Sequence, residues 1–154
     1  ALTLLQTGKR NPMPLVLVDE PGGSYWEHVI RFLEEELLAR NFICPSDFAI
    51  IERVSSALSA LETIQRFYRR YHSMRYVRGR LVIRLTTPLR REEVQRLAEQ
   101  FQDILVAGGG IVSTGALEEE RDDGDVIDLP RLAVDFNRRD FGRLRSLINA
   151  INDL

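Results

Sequence analysis

Apolar positions fall in short clusters along the chain, and their spacing switches between strand-like and helical. Leu15-Val16-Leu17-Val18 is a continuous, valine-rich run, the pattern of a strand covered on both faces. It stops at the turn cluster Asp19-Glu20-Pro21-Gly22-Gly23. Ser24 and Glu27 have the spacing of a capping box. Trp26, Val29, Ile30, Leu33 and Leu37 then recur at helical intervals toward Arg40. Phe48-Ala49-Ile50-Ile51 predicts a second strand reaching Val54. Ser55 or Ser56 caps the next helix, in which Leu58, Leu61, Ile64 and Phe67 are expected to face inward and Arg66, Arg69 and Arg70 outward.

Strand, helix, strand, helix is the unit of a parallel sheet. Two strands make a poor sheet of that kind, because buried parallel strands need neighbours on both sides. Leu2, Leu4 and Leu5 read as the last turns of a helix, with Gly8 as its left-handed cap and Lys9 and Arg10 near its negative end. Pro12 and Pro14 forbid its continuation. A helix entered part-way, with no initiating methionine, leads us to expect a portion of a longer protein. The missing strands are expected upstream of Ala1 or in another chain.

Beyond Tyr71 the pattern changes. Leu81-Val82-Ile83-Arg84-Leu85 predicts a strand closed by Thr86-Thr87-Pro88. Val94, Leu97, Ala98, Phe101, Ile104 and Leu105 form a helical stripe that ends at Gly108-Gly109-Gly110, a cap and turn. Ile111 to Thr114 suits another strand, and Leu132-Ala133-Val134-Asp135-Phe136 alternates like a half-buried one. Asn137 or Asp140 caps a final helix carrying Phe141, Leu144, Leu147, Ile148 and Ile151 on one face. This β-α-β-β-α order predicts a small α+β layer, with helices on one face of a mixed or antiparallel sheet.

Composition narrows the class. The 154 residues are 44% hydrophobic and 29% charged, which excludes a largely disordered chain. No apolar run approaches the roughly 20 residues that span a bilayer, and the start of the chain lacks the marks of a signal peptide. A single cysteine, Cys44, and two histidines exclude an internal disulfide and argue against a Cys/His zinc site. A cytoplasmic protein is expected. The net charge of −2 conceals segregation: six arginines and no acid from Arg66 to Arg80, seven acids against Arg121 alone from Glu118 to Asp128. The acidic run reads as a solvated loop.

Candidate chemistry is sparse. Asp19 stands at the carboxyl end of its strand, where open parallel sheets place functional groups. Gly22-Gly23 between strand and helix is either a plain turn or a place where amides approach a phosphate, but it is neither a Walker motif nor a dinucleotide fingerprint. From Arg66 to Arg78 arginines interleave with aromatics, so Arg69, Arg70 and Arg75 are candidate contacts to phosphate or to a partner. The alternative is a helix whose cations offset its own dipole, with the aromatic rings buried. No catalytic constellation is present.

Leu4-Leu5-Gln6-Thr7-Gly8-Lys9 followed by Pro14-Leu15-Val16-Leu17-Val18-Asp19 resembles the segment just after the signature of the Lonely Guy (LOG) family. Members are often labelled "possible lysine decarboxylase", and the family's characterised activity is nucleoside 5′-monophosphate phosphoribohydrolysis. Gln6-x-Gly8 and Asn41-Phe42-Ile43-Cys44-Pro45 match the family's turn and its aromatic-Ile-x-Pro segment. Phe67-Tyr68-Arg69-Arg70-Tyr71-His72-Ser73 and the stretch from Phe136 to Arg145 look like the C-terminal extension of a longer bacterial branch. The resemblance implies the C-terminal part of a Rossmann-like nucleotide-binding core over residues 1–72 and an α+β extension over 73–154. It implies a hydrolase that cleaves an N-glycosidic bond to free base and ribose 5-phosphate, with no cofactor and no metal. Asp19, Tyr25 and Trp26 would border the pocket, and the helix ending at Gln6 would contribute to a homodimer. The family signature Pro-Gly-Gly-x-Gly-Thr-x-x-Glu is absent; it would precede Ala1. No catalytic residue is therefore assigned in this chain, which alone is expected to be inactive. The alternative is a regulatory module that binds nucleotides or a partner without catalysis. Decarboxylation would need a pyridoxal phosphate lysine, and the chain's one lysine is Lys9.

Overall fold

The valine-rich run forms β1 (Leu15–Val18), which pairs in parallel with β2 (Ile51–Val54), Leu15 opposite Ile51 and Val18 opposite Val54. This is a computed structural model, and it describes residues 1–120 and 124–154. Before β1 lies α1 (Leu2–Gln6), which ends at Thr7 and Gly8. Gly8 has φ +66, the left-handed conformation expected of the cap, and the Phe141 ring lies where its Cβ would be. α2 (Tyr25–Phe32) follows β1 and continues as a π-helical segment, Leu33–Leu38. α3 (Ala57–Phe67) follows β2 and begins where the Ser56 hydroxyl accepts the Ser59 amide at 3.1 Å, as expected.

The first unit departs from its pattern in four places. Ser24 makes no side-chain cap; the Asp19 carboxylate takes that role. Phe48, Ala49 and Ile50 belong to a 3₁₀ turn, Pro45–Ile50, so the strand starts only at Ile51. Pro45 suits the first turn of a helix, and the Asp47 carboxylate accepts the Cys44 amide at 2.9 Å, closing that turn. Of the four α3 residues expected inward only Phe67 is buried, together with Thr63, while Leu58, Leu61 and Ile64 are exposed. Thr63 donates to Glu52 Oε1 of β2 at 3.0 Å and Arg66 to Glu52 Oε2 at 2.6 Å, which ties this side of the helix to β2. Finally, β1 is not covered on both faces. Leu15, Val16 and Leu17 are half-buried and Val18 is exposed.

The second sheet is fully antiparallel, in the order β3-β4-β6-β5. Its strands are β3 (Tyr71–Val77), β4 (Arg80–Leu85), β5 (Ile111–Thr114) and β6 (Arg131–Val134). α4 (Arg91–Gln100) links β4 to β5, and α5 (Phe141–Asp153) follows β6. β4-α4-β5 is thus a split βαβ unit with β6 between its strands. Leu81, Ile83, Leu132 and Val134 are buried, as are Leu97, Phe101, Ile104, Leu147, Ile148 and Ile151.

Two features here correct the sequence pattern. β3 was not expected. Tyr71 pairs with Leu85 but Ser73 with Arg84, so His72 is an extra, bulged residue that breaks the alternation of the strand. Arg78 (φ 46) and Gly79 (φ 89) form the two-residue, both-positive turn that suits a hairpin. β6 is buried along its whole length rather than on one face. Its second face is also covered, because Glu120 in the acidic run is completely buried against Arg84 and Arg131. The run is therefore not simply a solvated loop; its residues 121–123 lie outside the described residues.

The chain divides into two units, Ala1–Phe67 with Asp140–Ser146, and Tyr68–Arg139 with Leu147–Leu154. The boundary expected after residue 72 falls within β3, one residue past its start. Among the described residues no helix is long and apolar enough to cross a membrane.

Candidate functional site

The carboxyl end of β1 brings together Asp19, which the strand pattern singles out, with Tyr25 and Trp26, which the resemblance placed beside it. The Asp19 amide extends the parallel ladder by donating to Val54 O at 2.9 Å. This fixes its side chain beneath the first turn of α2. Asp19 Oδ1 accepts the Trp26 amide at 3.1 Å and Oδ2 accepts Arg53 Nε at 2.6 Å. Trp26 Nε1 donates to Val18 O at 3.2 Å, and the Tyr25 ring stands edge-on to the indole at 5.0 Å between centroids.

Arg53, from β2, organises the rest. Its guanidinium donates to Gly23 O at 3.1 Å and lies 3.3 Å from Glu27 Oε2. The turn Glu20 to Gly23 is thereby held against both strands. Burial pushes the Asp19 carboxyl up, but the Arg53 hydrogen bond, the Trp26 and Tyr25 amides and the Arg53 charge outweigh it. The net effect holds Asp19 below the usual carboxylate range. The Asp19 hydrogen bond, set against burial, in turn raises the Arg53 pKa.

Such a carboxylate is ionised and engaged on both oxygens, so its chemistry is positioning rather than proton transfer. The open feature of the cluster is Tyr25, whose side chain is 68% exposed beside the glycine turn. An exposed ring braced by a second ring offers a stacking surface for a flat ligand. Arg53 was not foreseen. Its signal was the charged pair Glu52-Arg53 inside a run otherwise fit for a buried strand.

The arginine–aromatic stretch is not one surface. Arg66 ends α3 and pairs with Glu52, whereas Arg69 is exposed in the connection to β3. Arg70 is half-buried, 3.9 Å from Glu93 of α4. Arg75 lies within β3 opposite Val82, and Arg78 pairs with Glu119. Carboxylates thus answer several of these cations.

Comparison with family models, with curated proteins and with solved structures gives no match. The site rests on its geometry.

The second unit holds a denser charge cluster. Glu120 Oε1 accepts from Arg84 at 2.7 Å and Oε2 from Arg131 at 2.9 Å, with the Leu117 amide at 3.2 Å on Oε2. Arg131 also donates to the carbonyls of Val126, Ile127 and Leu129. Burial raises the Glu120 carboxyl, yet the Arg84 hydrogen bond, the Leu117 amide and both guanidinium charges bring it below the usual range. Every group is answered internally, which marks the cluster as structural. Among the described residues no group of three or more His, Cys, Asp or Glu side chains could hold a metal ion.

Proposed function

We propose that this chain is part of a LOG-like nucleoside 5′-monophosphate phosphoribohydrolase, contributing strands and a pocket border rather than the reactive carboxylate. The observation that carries the proposal is the strand-end cluster: Asp19 at the tip of a parallel strand, braced by Arg53, aiming Trp26 and Tyr25 beside a glycine turn. In open parallel sheets ligands bind at that end. The half-buried β1 and the exposed Leu58, Leu61 and Ile64 of α3 fit a core whose remaining strands and helices lie in other polypeptide. Within it, Tyr25 and Trp26 flank the base, Asp19 keeps the turn and α2 in place, and N-glycosidic cleavage uses a glutamate that this chain does not carry. The core is Rossmann-like in this proposal, and the complete enzyme is a cytoplasmic homodimer.

Trp26 is the chain's one tryptophan, so its fluorescence reports this site alone. Titration with AMP is expected to change Trp26 emission saturably, and Tyr25→Ala to weaken that response about tenfold, the loss of about 1–1.5 kcal/mol of stacking. The purified chain is expected to release no adenine from AMP. Absence of any emission change, or robust adenine release by the chain alone, overturns the assignment.

A further inference from the structure

The two edges of the antiparallel sheet are built differently. At one edge, β3 carries the His72 bulge and Arg75, and Arg78 follows in the turn. Bulges and charges on an edge strand oppose pairing with another chain. At the other edge, β5 is regular through all four residues of its ladder with β6. From Ile104 to Leu117 the chain carries no charged residue and no proline. Val112, on β5, is 46% exposed, and Val106 in the preceding turn is also exposed.

The hydrogen-bond phase of β5 follows from its start. Asp135 N–H donates to Gly110 O at 3.0 Å, and Gly110 N–H donates to Asp135 Oδ2 at 3.0 Å. Gly110 therefore turns its backbone groups toward β6. Antiparallel alternation gives Val112 and Thr114 the same direction and turns the N–H and C=O of Ile111 and Ser113 outward. The bond from Leu85 N–H to Pro130 O at 2.8 Å gives a consistent phase on the far side of β6.

We propose that β5 pairs antiparallel with β5 of a second copy of this chain, about a two-fold axis through Val112. The register is self-consistent. Ile111 then faces Ser113 of the other copy in a hydrogen-bonded pair, and the symmetric pair repeats it, giving four backbone hydrogen bonds. Val112 meets Val112 at the axis as a non-hydrogen-bonded pair, where side chains approach closest. An uncharged, isologous edge meets its own copy without like-charge repulsion. A four-residue edge is small, so the expected affinity is on the order of micromolar.

Sedimentation equilibrium of the intact chain tests this. Concentration-dependent dimerisation is expected, with Ser113→Pro, which removes an outward N–H, and Val112→Lys, which opposes two cations at the axis, each weakening it at least about tenfold. Melting curves should show both variants folded. A second measurement does not depend on them: in a Cys44→Ser background, Val112→Cys should oxidise to a disulfide-linked dimer, since Cα atoms of such a pair lie about 4.5 Å apart. A chain that stays monomeric at all concentrations, an association untouched by both substitutions, or failure of the cysteines to link overturns the proposal.

Discussion

A carboxylate shut away from water costs several kcal/mol unless its charge is answered, and at Glu120 two guanidiniums answer it. Replacing Glu120 by Gln leaves Arg84 and Arg131 facing each other without a counter-charge. The expected loss is about 3–5 kcal/mol of unfolding free energy, measured by urea denaturation. The pH dependence has a definite sign. Because the native carboxyl titrates below its ordinary value of 4.5, its contribution is complete above that value and is lost as pH falls through the native one. The stability gap between wild type and Glu120→Gln should therefore be widest near neutral pH and close in acid. A gap that widened in acid would refute the assignment. At this scale the sequence was legible where a residue stood at a punctuated position: Asp19 after its strand, Ser56 before its helix. Glu120 was hidden by its acidic neighbours, because a charge run reads as solvated whichever of its members turns inward.

An element forms where local propensity and packing agree, and Gly142 in α5 is a place where they oppose each other. Helix propensity favours alanine over glycine by about 1 kcal/mol. Yet a Cβ at Gly142 would stand 2.5 Å from Ser46 O and 2.6 Å from Ser46 C in the 3₁₀ turn, and backbone cannot move aside as a side-chain tip can. Gly142→Ala is therefore expected to lower the melting temperature, whereas propensity alone would raise it. Calorimetry of the variant decides between the two signs. Sequence periodicity caught β1, β4, β5 and α5, and it caught α4 except that the expected stripe runs on through Phe101, Ile104 and Leu105 while the helix ends at Gln100 and a 3₁₀ turn, Gln102–Ile104, follows. β3 escaped because the extra residue at His72 shifts its phase. α3 was found, and Phe67 is buried as its spacing predicts, but Leu58, Leu61 and Ile64 of the same stripe are exposed in this chain.

For the molecule as a whole, the two sheets differ in how far they shut out water. β4 and β6 are buried along nearly all their length between paired neighbours, while β1 and β2 are half-buried and paired on one side only. Hydrogen exchange followed by mass spectrometry should find the amides of β4 and β6 slowest, and those of β1 and β2 faster by at least about tenfold. The reverse order would contradict this account of where the chain is most stable. The division into a parallel and an antiparallel part was legible from the change of pattern after Tyr71. The shared helix was not, since nothing in the periodicity of α5 tells Asp140–Ser146 from the residues that follow.

The displaced residue at His72 has one further effect. A sheet with two bare margins could add copies without limit and grow into a fibre. With the β3 margin puckered and carrying cations, only the β5 margin accepts a mate, and joining two copies there uses both available margins. In the proposed pairing, growth of this sheet therefore stops at two copies.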